Sequence, residues 1–214
     1  MIMATLLLRL AAPLQAWGSD SKFNIRSTER EPTKSGVIGM IAAAMGIQRN
    51  DDPRKLEPLN ALNFGVRVER EGKLLKDFHM VHEMVDKKDS HVTERYYLSD
   101  AVFLAALESD DKAFLEQIAA ALKSPVYPLF LGRRSCPPTL PLVLGIRDDK
   151  LSEVLKNEPS EYNGTKRIVY DSDDDGVVVR DVPMSFSQLH RQYGCRIKKE
   201  ETLFGAEHDP MSEL

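Results

Sequence analysis

The hydrophobic and polar positions along the chain predict four core strands. Residues 4–10 are predominantly apolar, which is typical of a buried strand, and Pro13 ends it. In residues 62–70 hydrophobic and polar side chains alternate, so we expect this strand to have one face in the core. Residues 101–107 are again continuously apolar, and residues 141–146 predict the fourth strand.

Two amphipathic helices are predicted between these strands. The first begins near Thr33 or Ser35, either of which can cap it, and Gly46 ends it. The second is capped by Asp110 or Asp111. Hydrophobic residues recur at helical spacing on one face of each helix: Ile38, Ile41 and Met45 in the first, and Phe114, Ile118 and Leu122 in the second. This order predicts an α+β fold, a ferredoxin-like βαββαβ domain with both helices on one face of the sheet.

Two segments do not fit this pattern. Residues 77–95 contain few hydrophobic side chains but hold three of the five histidines, so we predict a projecting arm or a long hairpin. Further along, short apolar runs at 168–170 and 177–179 flank an acidic turn, which predicts a hairpin. We therefore expect a ferredoxin-like domain over residues 1–147 and a small β-rich unit over residues 148–214.

The composition is that of a folded globular protein, with 214 residues of which 42% are hydrophobic and 29% are charged. The net charge of −4 gives no general affinity for nucleic acid. Phosphate is nevertheless bound by local patches of positive charge. Positive side chains recur every four residues in one segment, as Lys22, Arg26, Arg30 and Lys34. This basic stripe is compatible with RNA binding.

Other features exclude several classes of protein. The N-terminal apolar run does not predict a signal peptide, because no basic residue precedes it and Arg9 interrupts it. No apolar stretch reaches the roughly 18–20 residues that span a bilayer, so we expect no membrane partner. Cys136 and Cys195 are too few and too far apart for a disulfide framework or a metal knuckle. We therefore expect free thiols in a reducing cytoplasm.

Two short stretches, residues 14–18 and 131–137, place glycine beside polar, aromatic or cationic side chains where a core element ends. Glycine permits close approach of backbone to a ligand, and arginine binds phosphate oxygens through two parallel hydrogen bonds. Neither stretch holds a nucleophile, a base and an orienting group together, so it indicates binding. Two alternatives remain open. Trp17 packs in the core or stacks on a base, and Arg133 and Arg134 form surface salt bridges or contact phosphates.

Two sequence motifs only partly match known sites. Residues 33–36 lack the glycines that a P-loop requires, so nucleotide hydrolysis is not expected. A helix N-terminus with hydroxyl groups and Lys34 can still hold one phosphate, or these groups are an ordinary helix cap. The acidic run at 171–176 has Val182 where an EF-hand loop needs its last carboxylate, so we expect a solvated turn.

The histidines of the arm allow two chemical hypotheses. His79 and His82 are close in sequence, but His91 is distant and no cysteine is near, so no metal site is expected. One histidine beside Lys87 or Tyr96 would suffice for metal-free RNA cleavage by general acid–base catalysis. In the alternative hypothesis, the arm contacts RNA or a neighbouring protein without catalysing a reaction.

Several motifs, taken together and in order, resemble the CasD family of subunits of type I-E Cascade, the CRISPR RNA-guided surveillance complex, within the RAMP superfamily. The likeness covers nearly the whole chain, and the order and spacing of the motifs are specific although each motif alone is weak. The motifs are residues 8–10, 13–18, 32–36 with Gly39, 46–49, 77–79, 95–101 and 131–137.

The resemblance implies a ferredoxin-like domain with a protruding thumb at about residues 77–95 and a small C-terminal β-rich part. It implies a non-catalytic subunit without cofactor that caps one end of the complex and holds the 5′ handle of the mature CRISPR RNA. Its partners would be the Cascade backbone subunits and the Cascade large subunit. A related branch in type I-C systems cleaves repeat RNA, and His79, His82 and Tyr96 leave that alternative, a metal-free endoribonuclease, open.

On this basis we expect a set of RNA-binding residues and no catalytic or metal-ligating ones. The set is Gln15, Trp17, Arg26, Thr33, Lys34, Ser35, His79, His82, Arg95, Gly132, Arg133, Arg134 and Ser135. Lys34 and the arginines near the two glycine stretches would contact phosphates, while Gln15 and Trp17 would shape the adjoining rim. The thumb residues would grip the handle or the neighbouring subunit. Unstacked bases of the handle would provide the sequence readout.

Overall fold

The structure is a computed structural model that describes residues 3–18, 24–82 and 90–203, with the backbone alone at 81, 82, 90 and 91. In the described residues the strands are β1 (Ala4–Ala11), β2 (Leu14–Gln15), β3 (Ile25–Arg26), β4 (Asn63–Arg70), β5 (Lys73–His82), β6 (Ser90–Ser99), β7 (Val102–Ser109), β8 (Val143–Arg147), β9 (Lys166–Asp171), β10 (Val177–Ser185) and β11 (Gln192–Leu203). The helices are α1 (Lys34–Ala44), α2 (Glu57–Asn60), α3 (Lys112–Lys123) and α4 (Leu151–Asn157), and a 3₁₀ turn (Pro53–Leu56) precedes α2. The four predicted core strands are confirmed as β1, β4, β7 and β8, and the two predicted helices as α1 and α3.

Both predicted helices begin next to the residues expected to cap them. The Thr33 hydroxyl accepts a hydrogen bond from the Gly36 amide (3.2 Å), and the Asp111 carboxylate accepts one from the Phe114 amide (3.0 Å). Each cap satisfies a backbone N–H group that the first helical turn leaves without a partner. No helix in the described parts of the chain combines the length and the apolar character needed to cross a membrane.

Seven strands form one antiparallel sheet in the order β10-β11-β9-β4-β7-β1-β8. The central strands β1 and β7 are buried on both faces, which explains their nearly continuous apolar sequences. On one face Leu6, Leu8 and Leu10 belong to the core that α1 and α3 complete. Burial of each such side chain contributes about 1.5–3 kcal/mol.

The other face of the sheet carries α4, a helix that the sequence reasoning did not predict. Leu151, Val154 and Leu155 of α4 pack against Leu7 of β1 and Leu104 of β7 in a second, smaller core. The predicted fold has both of its helices on one face of the sheet, but α4 covers the middle of the other face. This explains why Leu7 of β1 is apolar although it points away from α1 and α3.

The C-terminal strands extend the main sheet, because β9 pairs with β4. The prediction that residues 168–170 and 177–179 pair as a hairpin is wrong. Strand β11 lies between β9 and β10 and pairs with both. The acidic segment between β9 and β10 is a turn as predicted, but the two strands that it joins are not neighbours. Residues 148–203 therefore do not form a sheet of their own.

A second sheet is built around the hairpin of β5 and β6, which contains the segment predicted as an arm. The hairpin is longer than the predicted segment, because β5 already begins at Lys73 and β6 continues to Ser99. At its base β6 also pairs with β2 and, in parallel orientation, with β3. The loop segments that follow β1 are thereby attached to the hairpin.

Candidate nucleic-acid interface

The two glycine-bearing stretches singled out from the sequence lie against each other. The Ala16 amide donates to the Leu131 carbonyl (3.2 Å), so the segment after β2 runs beside the loop that contains Gly132. The Glu94 amide donates to the Asn24 carbonyl (2.7 Å), which fixes the next segment to the hairpin. Three separate parts of the chain therefore meet at one rim of the fold.

Four arginines converge at this rim, and together with Tyr97 and Ser135 we call them the arginine edge. The arginines are Arg26, Arg95, Arg133 and Arg134. Arg26 and Arg95 are direct partners in the pairing of β3 with β6. Arg133 connects the elements, because its Nη2 donates to the Arg26 carbonyl (2.8 Å) and its guanidinium lies 4.5 Å from the centre of the Tyr97 ring. Arg134 and Arg26 have exposed side chains beside it.

Within the described parts of the chain, no carboxylate neutralises the positive charge of the arginine edge. No ion pair joins any of its four arginines to a carboxylate within residues 3–18, 24–82 and 90–203. Burial raises the pKa of Tyr97, but hydrogen bonds with Arg133 and Ser135 and the charge of Arg133 outweigh that effect, so the pKa is lowered. The environment of the Tyr97 hydroxyl therefore favours negative charge.

Two nitrogen atoms of the arginine edge are buried donors without acceptors. Nε of Arg95 and Nη1 of Arg133 have no hydrogen-bond partner in the part of the chain that the structure describes. A buried donor without a partner costs about 1–3 kcal/mol, and more when the group is charged. An anionic oxygen would be a matching acceptor, because guanidinium groups bind phosphate and carboxylate with parallel hydrogen bonds.

Gln15 and Trp17 lie beneath this rim, inside the core. The Gln15 amide donates to the carbonyls of Leu10 (3.2 Å) and Ala101 (2.8 Å), and Trp17 Nε1 donates to Gln15 Oε1 (3.1 Å). Both side chains are buried, so of the two alternatives for Trp17 the structure has core packing. These residues support the rim from below, and neither presents a surface on which a base could stack.

The N-terminus of α1 is already occupied by carboxylates of this chain. Asp181 of β10 accepts a hydrogen bond from the Lys34 amide (2.9 Å). Its carboxylate therefore takes the position at the helix N-terminus that one of the two alternatives assigned to a phosphate. The Lys34 ammonium is buried and contacts Asp171 (3.0 Å) and the Leu62 carbonyl (2.7 Å). The ordinary-cap alternative therefore fits Thr33, Lys34 and Ser35, all of which are buried, and Lys34 is not placed to contact RNA.

Arg196 completes this group of charges. It pairs with Asp181 and with Asp171, each at 2.6 Å. Burial lowers the pKa of Arg196, but the hydrogen bonds and charges of the two aspartates outweigh it and raise the pKa above its usual range. The group is a buried structural network in which the negative charges already have partners.

The basic stripe expected over residues 22–34 is not one continuous surface. Arg26 is exposed at the arginine edge, but Arg30 pairs with Glu71 (3.3 Å) and Lys34 is buried. Lys22 lies outside the described residues. The spacing of four would align these side chains only in a helix, and the segment before α1 is not helical.

The histidines of the arm do not form a cluster in the described residues. His79 contacts Asp77 (2.9 Å) and is half exposed. It lies on the hairpin face that carries Arg95, whereas Tyr96 lies on the opposite face, because side chains alternate along a strand. The side chains of His82 and His91, and all of Lys87, lie outside the described residues. Among the residues that the structure describes, no three His, Cys, Asp or Glu side chains are placed to hold a metal ion.

Tyr97 is a residue of the arginine edge that the sequence reasoning missed. A signal was available, because Tyr97 follows Arg95 by two positions and shares its face in a strand, but the predicted arm ended at Arg95. What the sequence could not indicate is the stacking of Arg133 on the Tyr97 ring, since these two residues come from different elements.

Comparison with known proteins identifies the family. A model of the family described as CRISPR-associated protein (Cas_Cas5) matches residues 5–197. The CRISPR system Cascade subunit CasD of Escherichia coli (strain K12) is 37% identical over 173 residues, covering 72% of this chain and 77% of that protein. A solved CRISPR RNA-guided surveillance complex contains a chain with a TM-score of 0.77 and 33% identity, covering 94% of this chain and 90% of that one. A crystal structure of a Cas protein gives a TM-score of 0.75 and 38% identity, covering 94% and 95%. The chain therefore belongs to the Cas5 family of CRISPR-associated proteins.

Proposed function

We propose that this chain is a CRISPR RNA-binding subunit of a Cascade surveillance complex and that its arginine edge holds the 5′ handle of the RNA. The relative from Escherichia coli is named a Cascade subunit, and the similar solved chain comes from an RNA-guided surveillance complex. Both free cysteines, Cys136 and Cys195, fit the reducing cytoplasm in which we place the complex.

The observation that carries this proposal is the pair of unmatched donors at the arginine edge. The exposed Arg26 and Arg134 contact the phosphate chain directly, and the buried Nε of Arg95 and Nη1 of Arg133 gain an acceptor when their side chains turn outward to a phosphate oxygen. A phosphate chain suits this surface better than a single small anion, because the cations come from three segments along one rim.

The order of strands supports a ferredoxin-like core for the domain. Within the main sheet β4, β7, β1 and β8 are neighbours and antiparallel, and α1 and α3 pack on the same face. Those four strands and two helices follow each other along the chain as βαββαβ, with β5 and β6 inserted between the second and third strands. We identify that inserted hairpin with the thumb.

We further propose that one face of the thumb contacts a Cascade backbone subunit. Cross-strand register places four exposed hydrophobic side chains on the face opposite Arg95, namely Leu74, Phe78, Met80 and Val92. An exposed apolar surface of this kind marks a protein contact more often than a nucleic-acid contact. The proposal assigns RNA to one face of the thumb and protein to the other.

We infer that the subunit is not a nuclease. General acid–base cleavage needs two groups within reach of one phosphate. His79 and Tyr96, two candidates for that pair, lie on opposite faces of the hairpin, and Tyr96 donates to Glu94 (3.4 Å). The metal-free endoribonuclease therefore gains no support from the described residues.

The experiment that tests RNA binding compares two double variants of the full chain. Arg26→Ala with Arg134→Ala removes two exposed cations from the arginine edge, and Arg49→Ala with Arg54→Ala removes two exposed cations beyond the other end of α1. We expect the first to weaken binding to single-stranded repeat RNA about tenfold, since two exposed charge contacts of up to about 1 kcal/mol each are lost. The control variant should bind as the parent does. Equal affinities for all three proteins would refute the proposed interface.

A further inference from the structure

A second concave surface lies apart from the arginine edge, between the segment before α1 and the strands β10 and β11. It is a cleft of about 500 Å³. Phe64, Val66 and Val169 line it with apolar side chains that are nearly fully buried, and half of the fourteen lining residues are charged. A volume of this size is in the range of small-ligand sites.

The carboxylates at this cleft already have partners. Glu31 pairs with Lys198 (2.8 Å) and with Arg167 (3.0 Å). Asp181 is held by Arg196 (2.6 Å) and by the N-terminus of α1. Glu29 at the rim also has an interaction of its own. Little negative charge is therefore left to repel an anion.

Two arginines of the cleft are, by contrast, unneutralised. Arg180 and Arg191 are exposed, and neither forms an ion pair within the described ranges. Arg180 donates from Nε to the Tyr193 carbonyl (3.0 Å), and among the described residues its other guanidinium nitrogens have no acceptor. The cleft thus combines a mixed apolar and charged lining with two positive charges at its rim.

The cleft also offers planar groups. Tyr193 lines it, and the guanidinium of Arg196 lies 5.4 Å from the centre of the Phe64 ring. Aromatic rings and arginine planes are the groups on which unpaired bases stack. An acidic peptide side chain would match the two arginines but has no apolar, planar body to fill the interior.

We propose that this cleft binds one unpaired nucleotide of the RNA, with the base stacked beside the Tyr193 ring and its phosphate against Arg180 and Arg191. The proposal rests on the proposed RNA-binding function but concerns a separate place, since none of the cleft residues belongs to the arginine edge. The RNA would then be held at two points, by its backbone at one and by a base at the other.

Photocrosslinking with mapped sites tests this proposal. The full chain is irradiated with short single-stranded RNA in which 4-thiouridine replaces uridine, and the crosslinked peptides are identified by mass spectrometry. We expect crosslinks in the peptide that contains Tyr193, in addition to crosslinks at the arginine edge. Crosslinks at the arginine edge alone would overturn this proposal and leave the RNA-binding function intact. Absence of crosslinks at both places would count against both.

Two variants make the test specific to the cleft. Arg180→Ala with Arg191→Ala removes the phosphate contacts and should lower the crosslink yield at Tyr193 about tenfold while leaving the arginine edge unchanged. Val179→Phe narrows the cleft from a half-buried position and should have the same effect. Arg49→Ala with Arg54→Ala is the charge-matched control. An undiminished crosslink yield at Tyr193 in both cleft variants would overturn the proposal. So would a Tyr193 crosslink that free uridine monophosphate suppresses but unlabelled RNA does not.

Discussion

The carbonyl oxygen of Ala16 occupies the space that a side chain at Gly132 would need. A Cβ atom on residue 132 would lie 1.6 Å from that oxygen, and the backbone of Gly132 has a φ of +87°. The glycine is thus required twice, by its conformation and by the contact. It allows the loop that carries Arg133 to lie directly against the segment that carries Trp17.

Gly132→Ala should therefore destabilise the protein strongly. The left-handed conformation costs about 1–2 kcal/mol for a residue with a side chain, and the collision with the Ala16 backbone adds to that. We expect a loss of about 3 kcal/mol or more in the free energy of unfolding, measured by urea denaturation. Gly164→Ala is the matched control, because Gly164 has a φ of +100° but nothing within 4 Å of its Cβ position. Equal losses in the two variants would show that the close approach does not matter.

Lys34 should prove to be a structural residue. Lys34→Met removes the contacts of the ammonium with Asp171 and with the Leu62 carbonyl, both of which are inside the protein. Since Asp171 keeps its contact with Arg196, we expect a loss of about 1–3 kcal/mol in the free energy of unfolding. The RNA affinity of the folded variant should equal that of the parent. A loss of RNA affinity without a loss in the free energy of unfolding would instead show that Lys34 contacts RNA.

The difference between Lys34 and the arginines shows what the sequence could predict. Helix α1 and its cap were predictable, because the cap and the apolar stripe lie within a few residues of each other. The occupant of the helix N-terminus was not, because Asp181 is 147 residues away from Lys34. Likewise the β9–β11 pairing depends on contacts between distant segments, which a local turn signal cannot reveal.

The arginine edge was predictable only in part. The glycine stretches and their arginines stood out as local patterns, and both stretches lie at the same rim. The two unpartnered nitrogens, Nε of Arg95 and Nη1 of Arg133, however, depend on which acceptors lie around them, and only the folded chain determines that. Exposure separates Arg26 and Arg134, which face solvent, from Gln15 and Trp17, which support the rim from the core.

Glu31 should make the stability of the protein depend on pH. Burial raises the pKa of its carboxyl, but hydrogen bonds and charges of Lys198 and Arg167 outweigh that effect and lower the pKa below the ordinary value of 4.5. The unfolded chain therefore takes up the proton first as the pH falls. The stabilising contribution of Glu31 is complete above pH 4.5 and is lost as the pH falls through the lower, folded-state pKa.

Comparison of the parent with Glu31→Gln measures that contribution. The variant should be less stable than the parent at neutral pH, because Lys198 and Arg167 lose their shared partner. The difference in the free energy of unfolding should shrink in acid, since the parent then loses the same charge. Urea denaturation at several pH values checks this. A difference that stays constant down to about pH 3 would contradict the assigned pKa direction.

The two faces of the thumb should respond differently to substitution. Phe78 and Met80 are exposed by 68% and 55%, so Phe78→Ser with Met80→Ser should change the free energy of unfolding by no more than about 0.5 kcal/mol. If a backbone subunit covers this face, the variant should be lost from complexes purified through that subunit, because about 25 cal/mol of stabilisation per Å² of buried apolar surface disappears. Its affinity for RNA as an isolated chain should not change, since Arg95 lies on the opposite face.

Lys76→Ser is the control for altered hairpin structure, because Lys76 is charged and lies on the same face as Phe78 and Met80. Full retention of the Phe78 and Met80 variant in the complex, or loss of RNA affinity in the isolated chain, would contradict the assignment of protein and RNA to opposite faces of the hairpin.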